Sequence, residues 1–143
     1  MSGSKSPRRR AREFVVQGLY QHLVADQDTA GIEAQAAGVP GFDKGDGELY
    51  LALLHGVLAD ESGLRDLLAP HIDRKWEEVS PIERGILLLG ACELKSHPET
   101  PYRVVINEAI ELAKTFGGTD GHKFVNGVLD KLAPELRPGE VRK

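Results

Sequence analysis

The residues best suited to chemistry in this chain are Arg8, Arg9, Arg10 and Arg12, four guanidinium groups within five positions. Planar, permanently charged and rich in donors, such groups grip phosphate oxygens in a fork. With Lys5, and with no acid before Glu13, they give residues 1–12 a charge of +5. The whole chain carries −4, so the remaining 131 residues carry −9. That distribution excludes a uniformly basic nucleic-acid binder and leaves a basic arm on an acidic body. On the opening turns of a helix the four side chains fan out to meet several phosphates, and binding depends on salt through counterion release. The same run also suits a solubilising tail or an arm docked on the acidic body. Tyr20 and Phe124 are the aromatics associated with it, since single-stranded bases stack on exposed rings. Both also fit a core face, where burial is the commoner fate.

Other constellations carry less. The five histidines, at positions 22, 55, 71, 97 and 122, never fall three or four residues from one another or beside Cys92, so neither metal nor cofactor is expected. His55 lies in an apolar helix and reads as a partly buried core residue. Cys92 follows the apolar run 86–91 with no base nearby and reads as a small buried residue. No serine has a G-x-S-x-G context, and no glycine cluster matches a phosphate-binding loop. Glu108 and Glu111, with Asn107, form a carboxylate pair whose spacing suits a solvated face or a cap to a neighbour better than acid–base work. No catalytic residue is expected. The single cysteine excludes an intrachain disulfide and points to a reducing, cytoplasmic setting. The longest hydrophobic stretches, 51–54 and 86–89, fall far short of the roughly 20 residues of a membrane span. No secretory h-region precedes Phe14.

The elements that must position these residues read as helices throughout. Ser6-Pro7 opens a helix over about 7–25, with Ala11, Val15, Leu19 and Leu23 at helical spacing. A short helix over 32–37 and a flexible loop over 38–47 follow. Helical spacing resumes over 49–68, with a break predicted between Asp60 and Gly63. Ser80-Pro81-Ile82-Glu83 is the clearest helix start, with Glu83 reaching back to complete a capping box. That helix runs to about Ser96. Thr100-Pro101 repeats the cap, Gly117-Gly118 closes the helix it opens, and a last helix over about 119–133 ends at Pro134. No stretch alternates with period two, so the fold class is all-α, with six or seven helices. Residues 1–6 form a mobile tail, 7–134 one domain, and 135–143 a C-terminal tail.

The block Pro101–Asp130, PYRVVINEAIELAKTFGGTDGHKFVNGVLD, closely resembles the NusB family of bacterial transcription antitermination factors. So do Arg8–Glu13 (RRRARE) and Pro81–Leu94 (PIERGILLLGACEL), in the family's order. The resemblance implies an all-helical domain of two packed bundles that binds the boxA element of nascent ribosomal RNA leaders. It further implies NusE, a small-subunit ribosomal protein with a second role in transcription, as partner, and RNA polymerase reached through it. Arg8, Arg9, Arg10 and Arg12 then carry over as phosphate contacts, and Tyr20 as a base contact. The Asp120–Phe124 turn, with Asp120, Lys123 and Phe124, carries over likewise, and Glu83 faces NusE. Leu88 and Cys92 stand where family members commonly have a basic residue and an aromatic, and Gly85 where alanine is usual. An extra exposed leucine implies altered packing or a homodimer, a state in which some relatives hide the RNA-binding face.

The function so implied is that of a non-enzymatic RNA-binding adaptor. Two alternatives stand beside it. One is a module related to the N-terminal domain of ribosomal RNA cytosine methyltransferases, with no methyl transfer expected because no cofactor-binding fold follows. The other is a structural homodimer whose arginines bridge to acids of the partner subunit.

Overall fold

The computed structural model describes residues 5–141. Among the described residues there are eight α-helices and no strand. They are α1 (Pro7–Ala25), α2 (Thr29–Ala37), α3 (Gly47–Ala59), α4 (Glu61–Leu68), α5 (Pro81–Ser96), α6 (Tyr102–Phe116), α7 (Gly121–Leu136) and α8 (Pro138–Val141). The tail expected at residues 1–6 lies outside the described residues for its first four. Its last two are engaged: the Lys5 ammonium lies 2.9 Å from Glu13, and the Ser6 hydroxyl accepts the Arg9 N–H at 3.1 Å.

The apolar run of α5 explains its place. Every residue from Gly85 to Leu94 is buried, because α5 packs on α1, α3 and α4 of the N-terminal half and on α6 and α7 of the C-terminal half. A helix that is apolar all round must be covered all round, so the two bundles share α5 as their spine. Gly90 lets α7 come close: a Cβ there would lie 2.9 Å from Leu129 Cδ1. Leu88 and Cys92 point into this core, at 1% and 2% exposure, so the apolar surface expected from Leu88 is absent. Burial, and then the charge of Glu93, push the Cys92 thiol up to about 11, which leaves it inert as a nucleophile.

Several local expectations yield to partners distant in sequence. Ser80 accepts the Glu83 N–H at 3.3 Å, but the Glu83 carboxylate does not reach back and lies over Gly121 at the start of α7. Thr100 does not cap α6, since its buried hydroxyl accepts Arg8 Nη2 at 3.3 Å. The Tyr102 N–H is capped instead by the Glu140 carboxylate, 2.7 Å away. Pro134 does not end α7, which continues past it to Leu136 without the N–H that would bond the Asp130 carbonyl.

The stretch 135–143, expected as a tail, therefore contains a clasp. The buried Arg137 guanidinium donates to the carbonyls of Glu93, Leu94, His97 and Thr100 and to Glu140 Oε1. Carbonyls left over at the C-terminus of α5 thus find their donor more than 40 positions away in sequence. The loop over 38–47 is likewise pinned. Phe42 packs edge-on to both Phe14 and Tyr50, with ring centroids 5.0 Å apart, and the Asp46 N–H donates to Pro7 O at 2.9 Å.

Candidate nucleic-acid interface

Successive helical residues point about 100° apart, so the arginine run at the head of α1 does not present one face. Arg9 turns to α6, donating from Nε and Nη2 to the two Glu108 carboxylate oxygens at 3.1 and 2.8 Å. That bond and the Glu108 charge raise the Arg9 pKa further above its ordinary value. Arg8 is exposed, touching Thr100 and lying 3.8 Å from Asp46. Arg10 leans over the pinned loop beside Gly41 and Gly45, and it forms no ion pair among the described residues.

Arg12 is a correction. It is 3% exposed, and its Nε and Nη2 donate to Glu93 of α5 at 2.7 and 2.9 Å. Burial opposes its charge, but the Glu93 bond and charge, with Glu108 added, outweigh burial and raise its pKa. A phosphate cannot reach it without opening the core, so Arg12 ties α1 to α5 and leaves the set of phosphate contacts.

Eleven residues on from Arg9, and 20° away around the helix, stands Tyr20. It is 42% exposed, against the expectation of burial. Tyr20 opens onto a groove of about 650 Å³ lined by Gln17, Gln21, Pro81, Ile82 and Phe116. Beyond Ile82 comes Glu83, and its carboxylate meets the Asp120–Phe124 turn at Gly121. Two sites read separately from the sequence are therefore adjoining. Asp120 and Lys123 are exposed and lie 3.4 Å apart. Phe124 is half-buried, and the Arg74 guanidinium covers its ring at 4.4 Å from the centroid. One face of the ring is thus taken up by a guanidinium, which sequence spacing did not disclose because Arg74 stands 50 residues earlier.

Glu108 and Glu93 are the residues whose importance the sequence understated. A carboxylate at a helical position carries no local sign of which arginine will meet it. His55 is a further correction: its side chain is 53% exposed and pairs with Glu33 at 2.7 Å, because it lies on the outer face of α3. Among the described residues no group of three histidines, cysteines or acids could hold a metal ion, and no helix is long and apolar enough to cross a membrane.

Comparison with known proteins finds matches along nearly the whole chain. The NusB family model matches residues 9–134. The chain is 58% identical over 137 residues to the transcription antitermination protein NusB of Dechloromonas aromatica (strain RCB), spanning 96% of this chain and 84% of the relative. It is 55% identical over 138 residues to the NusB of Burkholderia cenocepacia (strain HI2424), spanning 96% and 95%. The solved structure of T. maritima NusB superposes with a TM-score of 0.80 at 30% identity, covering 98% of this chain and all of that one.

Proposed function

The chain belongs to the NusB family of transcription antitermination factors, and on that premise we propose that it binds the boxA RNA of ribosomal RNA leaders together with NusE. It works by binding and not by catalysis. The observation that carries the RNA reading is the head of α1. Among the described residues the exposed Arg8 is held only by a hydroxyl and by a carboxylate at 3.8 Å, and Arg10 has no ion pair, so both can meet phosphates.

The strand runs from these arginines along the Arg9–Tyr20 stripe, about 16 Å at 1.5 Å per residue. Tyr20 offers a ring for stacking, and Asp120 and Lys123 offer an acceptor and a donor to base edges. Phe124 takes part through the Arg74 guanidinium that covers it. Glu83, a carboxylate beside this path, repels phosphate and suits a cationic group on a protein, which supports NusE as its partner. RNA polymerase is then reached through NusE.

The acidic remainder of the chain, −9 over 131 residues, disfavours indiscriminate polyanion binding. With few free cations the intrinsic affinity is modest, and a second RNA-contacting protein strengthens it by adding its own surface. The test is an anisotropy titration of labelled boxA RNA and a scrambled RNA, with and without NusE. Tighter binding of boxA than of the scrambled RNA, enhanced by NusE, with Glu83→Lys abolishing the enhancement but not the binding seen without NusE, supports the reading. Equal affinity for both RNAs and indifference to NusE overturn it.

A further inference from the structure

The Arg9 side of α1 is neutralised in a way the Arg10 side is not. Three cations and three carboxylates meet there as three pairs: Lys5 with Glu13 at 2.9 Å, Arg9 with Glu108 at 2.8 Å, and Lys114 with Glu111 at 3.7 Å. Only the central pair is a two-point fork. Its carboxylate is 17% exposed and also lies 3.9 Å from the buried Arg12, whereas the Arg9 side chain is 39% exposed and faces an open cleft shared with Val104, Asn107 and Lys114.

Two parallel N–H···O bonds from one guanidinium to two oxygens of one anion are also the geometry by which arginine holds a phosphate. We infer that Glu108 is an internal stand-in for an RNA phosphate at Arg9, a competitor that the strand must displace to use the one arginine aligned with Tyr20. This rests on the RNA-binding reading above. Glu108 sets the affinity and the salt dependence of that site. While the pair is closed, Arg9 contributes little net charge, so binding leans on Arg8 and Arg10 and releases fewer counterions than the arginine count suggests. When it opens, Arg9 moves from carboxylate to phosphate, and Glu108 keeps Arg12 as its remaining cationic neighbour.

The experiment compares wild type, Glu108→Gln, Glu111→Gln, Arg9→Ala and the Arg9→Ala/Glu108→Gln double variant. Each is titrated with labelled boxA RNA between 50 and about 200 mM salt, where counterion effects are steep. Glu108→Gln binds about fivefold more tightly than wild type, the worth of roughly one unit-charge interaction at 4 Å in water. Its log–log salt slope steepens by about 0.7, one more single-strand phosphate. Glu111→Gln, which deletes an equal charge one turn away, gives a smaller gain, and in the Arg9→Ala background the Glu108→Gln gain falls to that same size.

A Glu108→Gln affinity equal to or below that of Glu111→Gln, with wild type binding normally, overturns the proposal alone. Absence of binding by every variant and by wild type overturns the RNA reading and this proposal with it. Should Glu108→Gln fail to fold, the wild type still decides. The Arg9 Nε–H resonance is slow to exchange in the free protein and shifts on adding RNA, and a resonance unmoved by saturating RNA overturns the inference.

Discussion

Arg12 and Arg10 stand two residues apart on one helix and have opposite fates. Arg12 is 3% exposed in a two-point bond with the buried Glu93, whereas Arg10 rests on a loop with no ion pair among the described residues. Arg9 is intermediate, forked to Glu108 at a partly exposed site. The difference teaches that an arginine run is not a unit of function. Rotation of 100° per residue sends each guanidinium into a different neighbourhood, and burial then decides whether it holds the protein together or remains available to a ligand. Removing one partner of a buried pair leaves an uncompensated charge, at about 3–5 kcal/mol. An exposed pair such as Arg8–Asp46 is worth about 0–1 kcal/mol.

The sharpest way to break this contrast is Glu93→Ala, which should lower unfolding stability in urea by about 3–5 kcal/mol by stranding Arg12. A loss under about 1 kcal/mol would show that Arg12 is not locked. The converse is Arg8→Ala with Arg10→Ala. Unfolding should move by less than about 0.5 kcal/mol per site, while RNA affinity falls at least about tenfold and the salt slope flattens by about 1.4, two phosphates at about 0.7 each. Unchanged affinity and slope would remove these two residues from the interface.

His22 extends the comparison to a cation that is locked only while protonated. Its Nδ1 faces Gln27 O at 3.2 Å and its Nε2 faces Glu61 at 2.8 Å, so both ring nitrogens must donate. Burial lowers its pKa, but the bonds to Glu61 and Gln27 outweigh burial and raise it above 6.5. A raised folded pKa means that this stabilisation is full below about pH 6.5 and is lost as pH rises through the folded value. Urea midpoints of wild type should therefore fall across that window, and those of Glu61→Gln should fall less; parallel profiles would reject the assignment.

The smallest effect is Gly85→Ala. A Cβ there would sit 3.5 Å from Leu19 Cβ, ordinary contact, so alanine fits between α1 and α5. Removing glycine's freedom in the unfolded chain should add about 0.4–1 kcal/mol, read as a higher melting temperature. RNA affinity should not change. A lower melting temperature would show that α1 and α5 have no room to spare.

Much of the architecture was legible because its signals are local. Ser6-Pro7 and Ser80-Pro81 announce helix starts within four residues, and the apolar spacing of Val105, Ala109, Leu112 and Ala113 names the buried face of α6. The segments 8–13, 81–94 and 101–130 pointed to the family that the comparisons show. What could not be read was reach across the chain: Glu140 capping α6, Arg137 closing the end of α5, Phe42 pinning a glycine-rich loop, and Arg74 lying over Phe124. Each concerns side chains that meet only after the helices have packed. A capping serine, by contrast, meets its N–H three residues away.

The amino-acid order alone therefore determined an all-helical chain, the helix starts marked by Ser6-Pro7 and Ser80-Pro81, most of the buried faces and the placing of positive charge at one end. Periodicity, capping and net charge are properties of neighbours along the backbone. Only the packed structure decided which arginines are structural and which are free, since that depends on which carboxylate a helix rotation brings within 3 Å and on how much water remains there. Coulomb energy grows as the surroundings dry, so the same guanidinium is a strut at position 12 and an exposed cation at position 8.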